Sequence, residues 1–169
     1  GGDFTVANSG VFTTGNAADL AIAGSFSQTG TGSSVIGEDI QADTGIAFAA
    51  DLTLKGDADE AIAFSTDGAV GSDIVLGGDV GNTAGESLLF DAGAGGDITV
   101  TGDVGDLGTG DLEITNAADV RFDGLVTADK LVQRAGTGTT TLAGTLTLAS
   151  DLDFTGNALT LTGSGNTLG

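Results

Sequence analysis

The feature that most constrains this chain is that it repeats itself at an interval of roughly 22 to 24 residues, the size class of solenoid repeats. Ser72-Asp-Ile-Val-Leu-Gly-Gly-Asp-Val-Gly81 lies 24 residues before Gly96-Asp-Ile-Thr-Val-Thr-Gly-Asp-Val-Gly105, and the same offset brings Leu88-Leu-Phe90 onto Leu112-Glu-Ile114. Asp119-Val-Arg-Phe-Asp-Gly124 opens a further unit slightly less than one such interval beyond Asp97, and Asp51-Leu-Thr-Leu-Lys-Gly-Asp57 opens an earlier one at the same distance before Asp73. A unit this small buries no core alone, so units must stack on their neighbours. Two or three short strands with their turns fill such a unit, which is the size of one coil of a parallel β-solenoid. The 169 residues then make about seven coils.

Within the units, apolar residues alternate with polar ones at the period of a strand. Asp51-Leu-Thr-Leu, Asp73-Ile-Val-Leu, Asp97-Ile-Thr-Val, Asp111-Leu-Glu-Ile, Asp119-Val-Arg-Phe and Asp151-Leu-Asp-Phe each place a turn residue before a short strand, and Asn157-Ala-Leu-Thr-Leu-Thr follows the pattern. Nothing reads as a helix. The expected core ladders are Ile74, Leu76, Ile98, Val100, Val120 and Phe122, with Thr53, Val75, Thr99, Glu113, Arg121 and Asp153 facing solvent. Phe64, Phe90, Phe122 and Phe154, the bulkiest available residues, are expected to point inward. Tight corners call for Gly, Asn or Asp, and Pro would remove a ladder donor, which suits 31 Gly and no Pro. Short strands at this spacing also fit an antiparallel sandwich; the long period favours the solenoid. Gly1 to Ala50 keeps the texture with less regular spacing. Its strand candidates are Phe4-Thr-Val6, Leu20-Ala-Ile22, Ser33-Ser-Val-Ile36 and Ile46-Ala-Phe48. With no linker in between, residues 1–169 read as one continuous domain. Because the chain has no Met, it reads as part of a longer repetitive chain.

The residue inventory excludes much chemistry. There is no Cys and no His, hence no disulfide framework, thiol nucleophile, zinc-thiolate site or imidazole base. Four Lys and Arg against 24 Asp and Glu leave a net charge of −20. Such a surface repels nucleic acids and anionic membranes, and no apolar run is long enough to span a bilayer. The acids form pairs, Asp57 with Asp59 and Glu60, and Asp151 with Asp153. Residues i and i+2 share a strand face, so Asp151 and Asp153 approach the spacing of glycosidic carboxylates. Solenoids that cleave acidic polysaccharides bring Arg or Lys to hold the sugar, and here Lys55, Arg121, Lys130 and Arg134 are the whole supply.

Ala92-Gly-Ala-Gly-Gly-Asp-Ile-Thr-Val100 partly matches the calcium-binding nonapeptide of parallel β-rolls. Thr99 stands where that motif buries an apolar residue, and the nonapeptide does not recur. The pairs Thr99/Thr101, Thr139/Thr141, Thr145/Thr147 and Thr160/Thr162 suggest water-ordering rows, but the step from Thr145 to Thr160 falls well short of a coil and breaks the period. The cations read as members of surface ion pairs. No residue is therefore assigned as catalytic, cofactor-binding or metal-binding.

The run Asp97-Ile-Thr-Val-Thr-Gly-Asp-Val-Gly105, with Leu112-Glu-Ile-Thr115, Val120-Arg-Phe-Asp-Gly-Leu-Val126, Gly136-Thr-Gly-Thr-Thr-Thr-Leu-Ala-Gly-Thr-Leu146 and Leu159-Thr-Leu-Thr162, resembles secreted bacterial β-strand-repeat surface proteins. These are the filamentous-haemagglutinin-like and autotransporter-passenger β-solenoids. The resemblance covers about Ala50 to Gly169. It implies an extracellular fibre, stalk or adhesin segment without catalytic activity, on a bacterial surface. It implies no cofactor, and a cell-surface or glycan receptor as a partner. The alternative is a calcium-dependent binding module with structural calcium. A solenoid's last coil bares unpaired backbone and core, and neither terminus reads as a cap. Self-association or continuation along the axis is therefore expected.

Overall fold

A computed structural model describes residues 2–16, 18–57, 60–66, 72–105 and 107–169. The chain winds as a parallel β-solenoid of about seven turns, and every strand pairing described is parallel. Three faces run the length of the coil. The first is an eight-stranded sheet of Phe4–Val6, Phe26–Gln28, Ile46–Phe48, Ile74–Leu76, Ile98–Val100, Val120–Phe122, Thr139–Leu142 and Ala158–Leu161. The second stacks Phe12–Thr13, Ser34–Ile36, Leu52–Leu54 and Val80–Asn82, then passes through single bridges at Val104 to Val126–Ala128 and Leu146–Leu148. The third stacks Leu20–Ile22, Ile40–Ala42, Ala61–Thr66, Ser87–Asp91, Leu112–Asn116, Leu131–Gln133 and Leu152–Phe154.

The repeat holds where the two most similar units face each other. Ile74 pairs with Ile98, Leu76 with Val100, Leu88 with Leu112 and Phe90 with Ile114. The antiparallel sandwich is excluded by the same pairings. One alignment needs correcting: Leu52–Leu54 belong to the second face beneath Val80–Asn82, whereas Ile74–Leu76 lie on Ile46–Phe48 of the first. Strands on all three faces share the pattern Asp-apolar-x-apolar, so Asp51 matches Asp73 as well as it matches its true partner Asp79. The coil length is also less uniform than the period read from the sequence. The first face climbs from Phe4 through Phe26, Ile46, Ile74, Ile98, Val120 and Thr140 to Leu159, so that the sequence number rises by 22, 20, 28, 24, 22, 20 and finally 19. Strands stay short, and the corners absorb the difference.

The stretch up to Ala50 is as regular as the rest. Phe12–Thr13, Phe26–Gln28 and Ile40–Ala42 are the strands that the spacing concealed there.

The core is one column of apolar side chains. Ile74, Leu76, Ile98, Val100, Val120 and Phe122 are all buried, while Val75 and Arg121 between them are exposed. Phe26, Phe48, Phe64, Phe90 and Phe122 stack along the axis with ring centroids 4.9, 5.6, 6.1 and 6.5 Å apart. Each buried ring contributes about 2 to 3 kcal/mol through apolar area removed from water. Phe154, in the last strand of the third face, is half-buried.

Candidate functional site

The corners hold most of the chain's distinctive residues, and their side chains are directed at the neighbouring coil. Between the first and second faces stands a column of Gly78, Gly102, Gly124, Gly144 and Gly163. A Cβ on Gly78 would come within 2.5 Å of the Ala50 carbonyl carbon, and one on Gly124 within 2.5 Å of the Gly102 carbonyl oxygen. At Gly102, Gly144 and Gly163 it would overlap the backbone of the glycine one coil before. None of these five has a left-handed backbone; among the described residues that conformation falls at Gly45, Gly85, Gly93, Gly108 and Gly165. Close approach of coil to coil, more than turn conformation, is what requires glycine at this corner.

Beside the glycines stand aspartates, and each passes a hydrogen bond along the axis. The Asp79 N–H donates to Asp51 Oδ1 at 3.1 Å, Asp103 N–H to Asp79 Oδ1 at 2.8 Å, and Leu125 N–H to Asp103 Oδ1 at 2.7 Å. At the corner between the third and first faces, Asp97 N–H donates to Asp73 Oδ1 at 2.9 Å, Asp119 N–H to Asp97 Oδ1 at 3.0 Å and Thr139 N–H to Asp119 Oδ1 at 2.6 Å. The backbone answers in the other direction, with Ile74 N–H on the Asp97 carbonyl and Ile98 N–H on the Asp119 carbonyl, both at 2.9 Å. In the first coil Asp3 Oδ1 accepts the Ser25 N–H at 2.9 Å and the Ser25 hydroxyl at 3.0 Å. These bonds hold the Asp3 carboxyl below its ordinary range, the backbone donor contributing most. At these two corners the Asp before the strand thus accepts a backbone donor from one coil on.

The remaining corner, between the second and third faces, opens a cleft of about 340 Å³ lined in part by Asp19, Glu38, Asp39 and Glu60. Its acids also hold backbone donors: Ala18 N–H on Glu38 Oε2 at 3.3 Å, Ala63 N–H on Asp39 Oδ1 at 2.7 Å, and Asp57 N–H on Glu60 Oε2 at 3.1 Å. Among the described residues no three acidic side chains converge closely enough to hold a metal ion.

Each candidate from the sequence has a place in this scheme. Asp57 and Glu60 are bonded to each other, and Asp59 lies outside the described residues. Asp151 and Asp153 are exposed along the last strand of the third face, where Asp153 lies beside Val132. In the stretch 92–100, the Ala94 carbonyl accepts the Thr137 hydroxyl at 3.2 Å, Gly93 N–H donates to Asp91 Oδ1 at 3.1 Å, and Asp97 serves the Asp119 N–H. The threonines divide between faces. Thr141 lies beside Thr160 on the first, Thr127 beside Thr147 and Thr167 on the second, so the step from Thr145 to Thr160 compares different faces.

Three of the four cations sit in ion pairs: Arg121 with Asp123, Lys130 with Asp129 at 4.0 Å, and Arg134 with Glu113 of the preceding coil. The last pair is bidentate, with Arg134 Nη2 donating to Glu113 Oε2 at 3.0 Å, and it raises the guanidinium pKa further. Lys55 is exposed.

Sequence reasoning missed the buried amides. Gln28 is 1% exposed, and its Nε2 donates to Asn8 Oδ1, the Gly30 carbonyl and the Gly32 carbonyl while its Oε1 accepts Ala49 and Ala50 N–H. One side chain thereby fastens three successive coils. Gln133 likewise is buried and accepts the Thr140 hydroxyl at 2.6 Å. The available signal was phase: Phe26-Ser-Gln28 puts a polar residue at an inward position.

No protein-family model, no curated protein and no solved structure matches this chain. Among the described residues no helix is long and apolar enough to cross a membrane.

Proposed function

We propose that this chain is a structural, non-enzymatic segment of an extracellular rod, stalk or adhesin, of the kind carried by the bacterial β-strand-repeat surface proteins it resembles. The observation that supports this reading best is how the corner residues are used. Glycines are placed for coil-to-coil contact and aspartates for coil-to-coil hydrogen bonds, so the residues that elsewhere build sites here extend a ladder. Such a ladder transmits position along one axis and presents long lateral faces. A chain with 24 acids and four bases, nearly all of them at the surface, resists sideways clumping and favours receptors other than polyanions.

The test is to label intact source cells with an antibody raised against this segment and to treat them with external protease. Surface labelling that protease removes supports the reading; signal confined to the cell interior overturns it. A melt with and without millimolar Ca²⁺ separates the rival, a calcium-dependent module, because a ligand binding only the folded state raises the midpoint.

A further inference from the structure

The corner between the second and third faces encloses a carboxylate. Glu86 is 0% exposed and is the one charged side chain buried among the described residues. Its Oε2 accepts the Ala84 N–H at 3.0 Å, while its Oε1, also buried, receives no hydrogen bond among the described residues. The corner is built to keep it there. Asn82 Oδ1 accepts the N–H groups of Ala84, Gly85 and Glu86 at 3.0, 2.9 and 3.2 Å, and Asn82 Nδ2 donates to the Glu86 carbonyl at 2.6 Å and to the Leu107 carbonyl at 3.3 Å. Glu86 stands two residues ahead of buried Leu88, on the inward side, where an ionised group without a partner is strongly unfavourable. No basic side chain supplies that partner: the ion pairs of Arg121, Lys130 and Arg134 lie in later coils, and Lys55 is exposed.

A second carboxylate lies one coil before. Ser87 pairs with Ala61, and its N–H donates to the Glu60 carbonyl at 2.9 Å, so Glu60 and Glu86 hold the same position in adjacent coils. The chain leaves room beside them: a Cβ on Gly56 would lie 3.2 Å from Glu60 Oε2 and 3.4 Å from Glu86 Cγ. Glu60 is exposed, and its Oε2 accepts the Asp57 N–H at 3.1 Å. It also lines the acidic cleft of this corner, which opens the space at Gly56 to solvent on that side. The same position one coil after Glu86 is Gly110, which brings no side chain to answer either acid.

We propose that Glu86 and Glu60 hold one calcium ion between adjacent coils, with Glu86 Oε1 as the buried ligand, the Glu60 carboxylate as the second and water completing the shell from the exposed side. Two carboxylates match a divalent charge. Calcium accepts an irregular set of oxygen ligands that is partly water, whereas magnesium requires a near-octahedral one. No three acidic side chains converge among the described residues, so two carboxylates with water make the set. The ion gives the orphaned oxygen its partner, and it turns the repulsion between two stacked acids into a link from one coil to the next.

The test starts from chain stripped of metal with a chelator. Calcium at about 10 mM is expected to raise the melting midpoint by about 4 °C more than the same concentration of magnesium does. Glu86→Gln keeps the shape of the side chain and removes its charge. It is expected to abolish that difference while the metal-free midpoint stays equal to or above that of the parent chain. Glu60→Gln changes an exposed position and is expected to weaken calcium binding at least fivefold by calorimetric titration, whereas Asp153→Asn, exposed on the last strand of the third face, is expected to leave it unchanged. No calcium effect beyond that of magnesium, or a loss shared equally by Asp153→Asn, would overturn the proposal. So would a rise that survives both glutamate substitutions, which would belong instead to the calcium-dependent module named above as the rival. If Glu86→Gln does not fold, Glu60→Gln against Asp153→Asn decides. The site is independent of the structural-segment reading: surface labelling tests that reading, and the response of Glu86 and Glu60 tests the ion.

Discussion

The coils from Ile46 to Phe122 and those after Thr139 use the same three faces and differ in nearly everything placed between them. The central steps, Ile46 to Ile74 to Ile98 to Val120, are long, and the last, Thr140 to Leu159, is the shortest on the first face. The central core is a stack of phenylalanines, whereas beyond Phe122 its column continues as Leu142 and Leu161. Residues 38–134 hold every cation and every acid except Asp3, Asp19, Asp151 and Asp153. The acceptors differ as well: Asp97 and Asp119, at the corner before the first face, take N–H groups of the following coil, whereas the Asn166 amide, at the corner before the second face, takes the Leu146 N–H of the preceding coil at 2.9 Å. The difference teaches that the fold resides in the short strands and the coil-to-coil contacts. Core bulk, corner length and charge vary without moving a strand from its column.

The sharpest way to break this comparison is to put a side chain into the glycine column. Gly102→Val is expected to cost about 4 kcal/mol or to abolish cooperative unfolding in urea, because the neighbouring backbone cannot withdraw without breaking the ladder. Gly15→Ala in the first coil meets nothing within 4 Å and should change stability by less than about 0.5 kcal/mol. Equal responses would remove the claim that close approach selects glycine. Next in size is the aromatic stack. Phe90→Ala should cost about 3 to 5 kcal/mol through the cavity it leaves, against about 1 to 2 kcal/mol for half-buried Phe154→Ala, both read from denaturant midpoints.

A smaller effect separates the carboxylate's shape from its charge. Asp97→Ala removes the acceptor of the Asp119 N–H and should cost about 1 kcal/mol, while Asp97→Asn keeps an acceptor oxygen and should recover most of it. If both variants lose the same amount, charge rather than the hydrogen bond sustains the column. The smallest effect concerns Asp3, in the first coil. Its folded carboxyl titrates below the ordinary aspartate value because Ser25 donates to it. Its stabilising contribution is therefore complete above the unfolded pKa, and it fades as pH falls through the folded one. Carbon-detected titration should find Asp3 depressed, and Asp3→Asn should flatten the acid limb of the stability curve slightly.

Much of the fold is legible because a stacked coil writes its period into the chain. Ile74 with Ile98 and Phe90 with Ile114 follow from spacing alone. Spacing does not assign Asp51 to a face, since a three-residue strand looks the same on every side of the coil and only the corner lengths, which differ from coil to coil, reveal where it falls. The corners are legible in composition and obscure in cause. Gly78 and Gly102 look like turn residues, but they make room for backbone that is distant in sequence and one coil away in space. The work of Gln28 is hidden because its partners, Asn8, Gly32 and Ala50, come from three coils.

The unequal coils have a geometric consequence. The longest step of the first face, from Ile46 to Ile74, and the shortest, from Thr140 to Leu159, each advance the structure by one inter-strand spacing, about 4.8 Å. Height is therefore counted in turns, and residues inserted at a corner add girth at that level without displacing anything above it. The molecule behaves as a gauge whose graduations are fixed by the backbone, so lateral decorations can be enlarged or exchanged while the distance between its two ends stays the same.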